Sequence, residues 1–484
     1  MTRDEFQAIY DSGPDACFAL VQQMQATIQA LAARVEELTA QVAQLQERLN
    51  KDSHNSHKPP SSDAFARKPK SLRPKSNKPS GGQPGHPGTT LCLSDQPHQI
   101  VEHSPAVCSG CGGSLAEVTA EGCERRQVHD LPPLALEVTE HRTLCKRCPI
   151  CRTATAAAFP AGVSQPVQYG PGVRTLCVYL QYHHLLPYER TQQLLWDLFG
   201  AAPCEGSLAH FGTLCHERLS EAEAAIQEAI LAAPVVHFDE TGVRIAKKLH
   251  WLHVAGTEQF TFYAPHAQRG KPAFEAIGVL PGFRGTAVHD AWASYWGYPC
   301  AHALCNAHLL RELTGLQEQK HQPWAAQAIA LLGEIKQTVE AAKAAGASAL
   351  TPVQCRFFEA RYEYVLHWGR VANPAPPVAA SPKRGRPKQS AAQNLLERMA
   401  RHRVSVLAFL YDFSVPFDNN LAERDLRMIK VHQKVSGCFR SFSGAAQFCR
   451  IRGYLSTLRK QGVDVLAALR RVFAGDPFIP VVQT

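Results

Sequence analysis

The sequence contains no run of about 20 apolar residues, so it offers no segment built to cross a bilayer as a helix. Its opening, MTRDEFQAIYDSGPDA, is polar and acidic, which predicts the absence of a secretory leader. Cysteine is too dilute for a disulfide scaffold: 16 are spread over 484 residues, and some fall in CxxC pairs, which in a reducing compartment point to zinc. Acid is scarce where base is dense. From Arg424 to Lys460, nine Lys and Arg residues meet one acid, Asp425, and the whole chain carries a formal net charge of +9. That balance favours an acidic partner such as nucleic acid and leaves the fold open. The length suits roughly two to four domains, each with its own core. A soluble, cytoplasmic, multidomain protein is therefore expected.

What is present begins with a heptad. Val21, Ile28, Val35, Val42 and Leu49 recur every seventh residue, and Cys17, Met24, Leu31, Leu38 and Leu45 fill the second seam position. Steps of three and four keep one narrow apolar stripe on a helix, and β-branched residues at one seam with Leu at the other favour a parallel dimer. A coiled coil is expected over 15–51, with a helix packed on its own chain as the plainer reading. Pro59 must end it. The Pro-, Ser- and Lys-rich segment 52–95 then reads as a basic linker, either a solvated tether or an arm touching phosphates.

CSGCGG and CKRCPIC follow, within an expected zinc-binding domain at 96–160. Cys108, Cys111, Cys148 and Cys151 are the candidate ligands of a structural zinc, four thiolates around a tetrahedral ion. Cys145 competes with Cys151, because Cys145 and Cys148 also make a CxxC pair. From 165 to 230 the period turns helical, with Pro187 opening the second helix, Gly200 closing it and Ser207 capping the third. This region is either a helix-turn-helix-like DNA-binding unit or an ordinary helical bundle.

At Ala233 the period changes to that of strands. APVVHFDETGVRI, LHWLHVAGT and QFTFYAPH read as a meander, KPAFEAIGVL as a crossover helix, GTAVHDAW as a fourth strand, and HALCNAHLLRELTGL as a fifth strand running into a helix. A ribonuclease-H-like α/β domain has this layout, here over 231–315 and 405–465, with a 466–484 tail. Asp239 and Asp290 fall at or near strand ends on either side of the crossover. Two carboxylates would repel in a partly dry site, and a divalent ion such as Mg²⁺ removes the repulsion. Glu423 would supply the third ligand, with Asp418 and Asp425 as competitors. Three carboxylates can hold two ions, ~4 Å apart in two-metal sites, that stabilise both attacking and leaving oxygens of a phosphodiester. Glu240 should point to the opposite face. Cys305 and His308, with Cys300 and His302 nearby, admit a second zinc, although a structural or DNA-positioning role fits better. Segment 316–404 reads as a helical insertion with a basic loop, KRGRPK, in which Arg384 and Arg386 either form a minor-groove hook or belong to a plain loop. Arg424, Arg427, Lys430, Lys434 and Arg440 are candidate phosphate contacts, and Arg427, one turn beyond Glu423, offers it a salt bridge.

These segments together resemble the transposases of the insertion-sequence 66 family, of the DDE class. The resemblance runs through the zipper, NSHKPPSSD, GGQPGHPGTTL, the CxxC knuckles, LLPYERTQQLLWDLFG, HFDETGVRI, HDAWASY, CNAHLLREL and VPFDNNLAERDLRMIKVHQKVSGCFRS. It implies catalytic roles for Asp239, Asp290 and Glu423 with Mg²⁺ or Mn²⁺. It also implies transposon-end and target DNA as partners, at least a dimer, a nucleoid-associated location, and small companion proteins of the same element. Cys305 and His308 are similar to a Cys-x-x-His pair that follows the second aspartate in several DDE families. The chain departs from the family at His57, where Ser is usual, and at Cys145. The rival expectation is a zinc-containing DNA-binding protein without catalysis, a regulator or a decayed transposase. A nuclease acting on RNA–DNA hybrids accounts for the carboxylates but less well for the zipper and knuckles.

Overall fold

The computed structural model describes residues 2–56, 85, 90–374 and 389–482. Contacts divide the chain into two compact units, one of Met1–Lys70, Tyr169–Thr191 and Cys204–Thr484, the other of Ser71–Gln168 and Gln192–Pro203.

In the first unit, one unbroken helix runs over Pro14–Leu49, with Pro in its first turn, where no amide donor is needed. All nine seam side chains from Val21 to Leu49 are exposed, from 44% at Leu38 to 79% at Leu49. Among the described residues, none covers the stripe. The helix ends in a turn knotted by Asp52, whose Oδ1 accepts from the amides of His54 and Asn55. Asn55 is buried against the helix Asn306–Lys320, where Gly315 leaves it room: a Cβ there would lie 2.4 Å from the Asn55 carbonyl oxygen. Lys320 and Glu47 close the same contact with an ion pair of 2.5 Å.

The centre of this unit is a five-stranded mixed sheet. Its strands are β3 (Val235–Ile245), β4 (Lys248–Gly256), β5 (Thr261–His266), β6 (Thr286–His289) and β7 (Ala301–Leu304), in the order β5-β4-β3-β6-β7. Two short strands of the second unit, β1 (Cys145–Arg147) and β2 (Ala154–Ala156), precede them in the chain. β3, β4 and β5 form an antiparallel meander, whereas β6 and β7 run parallel to β3 after the crossover helix Lys271–Ile277. Apolar, β-branched sequence produces this sheet because both of its faces are covered. The β3–β4 turn is less expected. Ala246 and Lys247 both take positive φ, 48° and 66°, where Asn-Gly is the usual choice. A second chain segment steadies it: the Ala246 amide donates to the Phe439 carbonyl and the Phe439 amide to that of Arg244.

The helices Asn420–Ser436 and Phe442–Lys460 lie on the sheet, and Thr457 Oγ1 accepts the Thr261 amide at 3.0 Å. Between β7 and these helices the chain builds an apolar core from Pro323–Ala344, Pro352–Ala372 and Ala391–Arg401, with Trp324, Leu332, Tyr362 and Leu396 buried in it, and shares it with Leu304 of β7 and Leu313 of the helix after β7. The 165–230 region forms helices Pro171–Val178, Tyr188–Phe199, Glu205–Arg218 and Ser220–Ala232. Gly200 ends the second with φ 67°, as expected. Ser207 does not cap the third: that helix starts two residues earlier, with Cys204 at the cap and Ser207 inside the first turn.

Replacing Gly315 by Ala should force the Asn55 turn away and cost about 1–3 kcal/mol, the range for overpacking a tight contact. Thermal unfolding checks this, and an unchanged melting temperature would refute the contact.

Candidate functional site

Side chains of β3 alternate between the two faces of the sheet. His237 and Asp239 face the helix Asn420–Ser436, and His237 Nδ1 meets Asn419 Oδ1 at 2.7 Å. Phe238 and Glu240 face the other way, toward Tyr295. Glu240 thus takes the opposite face, as its position beside Asp239 requires. Asp290 follows the last residue of β6, the parallel neighbour of β3, and its Oδ1 accepts the Trp292 amide at 3.0 Å. Glu423 sits in the first turn of its helix, where the positive end of the dipole favours a carboxylate.

The three acids share one electrostatic neighbourhood. Burial pushes the Asp239 carboxyl well above the ordinary range, and the charges of Glu240, Asp290 and Glu423 push it the same way. Burial also raises Glu423, against the pull of Arg311. The ion contacts of Glu423 are His308 at 3.7 Å and Arg311 at 3.8 Å, not Arg427, which acts only through its more distant charge. Among the described residues, three potential metal ligands come within 4.8 Å of one another in one place: Cys305, His308 and Glu423. Asp239 and Asp290 lie outside that group. Of the competing acids, Asp425 is taken by Lys460 at 2.9 Å, and Asp418 accepts the Asn420 amide.

Several site residues escaped the sequence reading. Arg269 donates to Glu240 at 2.7 Å, approaches Asp290 at 3.8 Å, and lies over the rings of Trp251 and Trp292, with its guanidinium carbon 4.9 and 3.7 Å from their centres. Tyr295 donates to the other oxygen of Glu240 at 2.6 Å. Glu240 is therefore satisfied on both oxygens and ties the Asp290 loop to β3. Asn419, 1% exposed, does the corresponding work for Glu423. Its amide side chain donates to the Phe238 carbonyl at 2.8 Å, and its backbone amide donates to Cys305 Sγ at 3.1 Å. No period marks Arg269 or Asn419; the one signal that could have found Asn419 is its place beside the acids in DNNLAE.

The basic stretch divides. Arg424, Arg427, Lys434 and Arg440 are exposed. Lys430 is turned inward and donates to the Gly242 carbonyl at 2.7 Å. Arg450 holds Glu223, Arg452 donates to the carbonyls of Tyr182 and His183, and Lys460 holds Asp425. Arg384, Arg386 and the basic arm from Lys58 to Lys78 lie outside the described residues.

In the second unit the two CxxC pairs form matching turns. The Cys108 amide donates to the Gly113 carbonyl and the Gly112 amide to that of Cys108; the Cys148 amide donates to Thr153 and the Arg152 amide to Cys148. Gly112 and Arg152, each directly after the second cysteine, both take positive φ, 73° and 64°. Cys145 instead belongs to β1 (Cys145–Arg147), paired with β2 (Ala154–Ala156). A backbone amide at Gly110 lowers the Cys108 thiol, and Thr153 lowers Cys151 to about 7. The two pairs are not joined into one group within 4.8 Å.

A family model, "Transposase IS66 family", matches residues 166–447, more than half of the chain and all of the sheet with both covering helices up to Gln447. The chain belongs to this family. Membership makes the protein a transposase and DNA its expected partner. A second model, a family of unknown function (DUF6444), matches residues 13–91. The uncharacterized protein y4jD of Sinorhizobium fredii (strain NBRC 101917 / NGR234) is 22% identical over 415 residues, covering 80% of this chain and 78% of that protein. Among the described residues of this transposase no helix is long and apolar enough to cross a membrane.

Asn419→Ala would leave His237 Nδ1 and the Phe238 carbonyl without their buried partner. A loss of about 1–3 kcal/mol in urea unfolding is expected, the cost of an unsatisfied buried polar group. A change under a few tenths would show that the node is not holding these elements together.

Proposed function

We propose that this IS66 family member is a DDE transposase that cuts transposon ends and joins them to target DNA through Asp239, Asp290 and Glu423. What supports the reading is electrostatic proximity: the charges of Asp290, at the end of β6, and Glu423, on a helix over the sheet, both raise Asp239 on β3, and that of Asp290 raises Glu423. The strand order β5-β4-β3-β6-β7 supports a ribonuclease-H-like catalytic domain interrupted by the helical insertion. Oxygen donors of this kind suit Mg²⁺ or Mn²⁺. Glu423 Oε1, buried and without a hydrogen-bond partner, is a fitting donor. Divalent ions held by the three carboxylates would supply positive charge to the attacking and leaving oxygens.

The chain's own groups do the positioning. Arg424 and Arg427, exposed on the helix that carries Glu423, are the groups suited to hold DNA phosphates near the acids. Lys434 and Arg440 extend that surface. Lys430, spent on Gly242, contributes to the fold more than to DNA. Arg269 and Glu240 fix the loop that carries Asp290. Water attacks the phosphodiester at each end, the bond to the 3′ oxygen breaks, and a 3′ hydroxyl is released. That hydroxyl then attacks a target phosphodiester, forming one P–O bond as another breaks, with no covalent enzyme intermediate.

Two further parts complete the reading. The matched turns favour Cys108, Cys111, Cys148 and Cys151 as ligands of a structural zinc, with Cys145 left in its strand. The exposed heptad favours a parallel coiled coil with a second copy, which would bring two sites to two DNA ends.

Asp239→Asn should abolish end cleavage in Mg²⁺ while DNA binding persists. Wild-type cleavage by this variant would sink the mechanism, and absence of cleavage by the wild-type chain would favour a non-catalytic DNA-binding protein. Ile28→Glu with Val35→Glu should reduce the species seen by light scattering to the monomer mass. An unchanged mass would assign self-association to another surface.

A further inference from the structure

Glu423 stands between two unlike sets of partners. On the one hand are Asp239 and Asp290, which it meets through charge and whose oxygens suit a hard cation. On the other are a thiol and an imidazole. Cys305 caps the helix Asn306–Lys320 and His308 lies in its first turn, so the two present ligands from one helix end. Glu423 comes from the first turn of a different helix. Cys305 Sγ, an imidazole nitrogen of His308 and a carboxylate oxygen of Glu423 lie within 4.8 Å of one another, and His308 Nε2 is 3.7 Å from Glu423 Oε1.

We infer that Cys305, His308 and Glu423 form a site for a zinc-class cation, and that such an ion withdraws Glu423 from the carboxylate site. The donor chemistry decides the class. Sulfur and imidazole nitrogen select borderline ions such as Zn²⁺ or Co²⁺, whereas Mg²⁺ requires an oxygen shell. Three protein ligands leave a fourth position for water, the pattern of an open zinc site. The surroundings are prepared for it. Cys305 is 2% exposed, and burial pushes its thiol up to about 12; the Asn419 backbone amide donated to its sulfur works the other way, and a bound cation would complete that work. Arg311 holds Glu423 Oε2 at 3.8 Å, while the buried Oε1 on the His308 side has no hydrogen bond. The 3.7 Å between His308 Nε2 and Glu423 Oε1 already matches the ~3.3–3.8 Å edge of a tetrahedron with ~2.0–2.3 Å arms, so an ion here would hold Glu423 beside the thiol and imidazole. Zinc would then oppose magnesium at one shared residue. The regulatory consequence rests on the transposase reading above; the binding site does not.

The test is Co²⁺ titration of the full-length, metal-stripped chain, followed by visible absorption and metal counting. Cys305→Ser and His308→Gln are compared with wild type, and circular dichroism checks that each folds. Any signal from the knuckle thiolates is common to all three proteins and cancels in the comparison. Wild type should take up one additional Co²⁺ with a weaker, mixed-ligand spectrum. Each variant should lose it or bind it at least about tenfold more weakly, since loss of even an outer partner of a ligand costs that much. Equal uptake and identical spectra in wild type and both folded variants would overturn the site. In parallel, Zn²⁺ should inhibit Mg²⁺-dependent end cleavage by wild type. Cleavage indifferent to Zn²⁺ while the extra Co²⁺ still binds would overturn the competition for Glu423. Binding without cleavage under any divalent ion would overturn the transposase reading and leave the site standing.

Discussion

Asn419 joins three elements with one side chain and one backbone amide. It meets His237 and the Phe238 carbonyl on β3, and its amide reaches Cys305 at the head of the helix after β7. Asp239 is the next residue of β3 after Phe238, and Glu423 lies one turn beyond Asn419. The relative position of the two acids is therefore set by hydrogen bonds buried among apolar neighbours. Such bonds are costly to break, because the groups they satisfy have no water to turn to. The Asn306 amide adds a parallel tie by donating to the Phe417 carbonyl at 3.1 Å. Glu423 is brought from far along the sequence to β3 by this seam, while the helical insertion shares its core with Leu304 of β7 and with Leu309 and Leu313 of the helix that Cys305 caps.

Asp290 is held by different means. A guanidinium lying over Trp251 and Trp292 and bonded to buried Glu240 fixes the loop after β6. Cation–π contact and a charge-assisted hydrogen bond reinforce each other in a partly dry setting. Glu240 thus serves the site from the far face of the sheet. It needs no exposure to do so, and its two oxygens are both occupied.

Much of this was legible in the sequence, because one physical rule governs it. The β-branched runs, the crossover helix and the return to strand are readable where burial imposes a period, and the sheet has those strands in that sense. The acids were readable because a charged residue at the end of an apolar strand is conspicuous. Legibility fails where a contact is made between distant segments. Nothing in Ala246-Lys247 announces a turn at positive φ; the strand-end bridge to Phe439 supplies what the residues lack. Ser207 looked like a cap because Ser usually is one, yet the helix had already begun at Glu205. Arg269 sits in a polar loop whose importance exists only once two tryptophans from different elements surround it.

The basic stretch shows the same limit most clearly. Counted along the chain, its charges look like one surface for a polyanion. Folded, they separate by helix face. Lys460 and Arg452 point into the interface with the sheet and the neighbouring helix, where each answers a buried acid or carbonyl. Burial lowers the Lys460 ammonium and the Asp425 carboxylate pulls it back, so removing either partner would strand the other in a dry setting. Arg424 and Arg427 remain in water on the helix that carries Glu423. Only the exposed subset can exchange counterions with DNA. Charge density in a sequence therefore overstates the binding surface by the number of cations the fold needs for itself, and the helix Asn420–Ser436 supplies both kinds, as exposed Arg424 and inward Lys430 show.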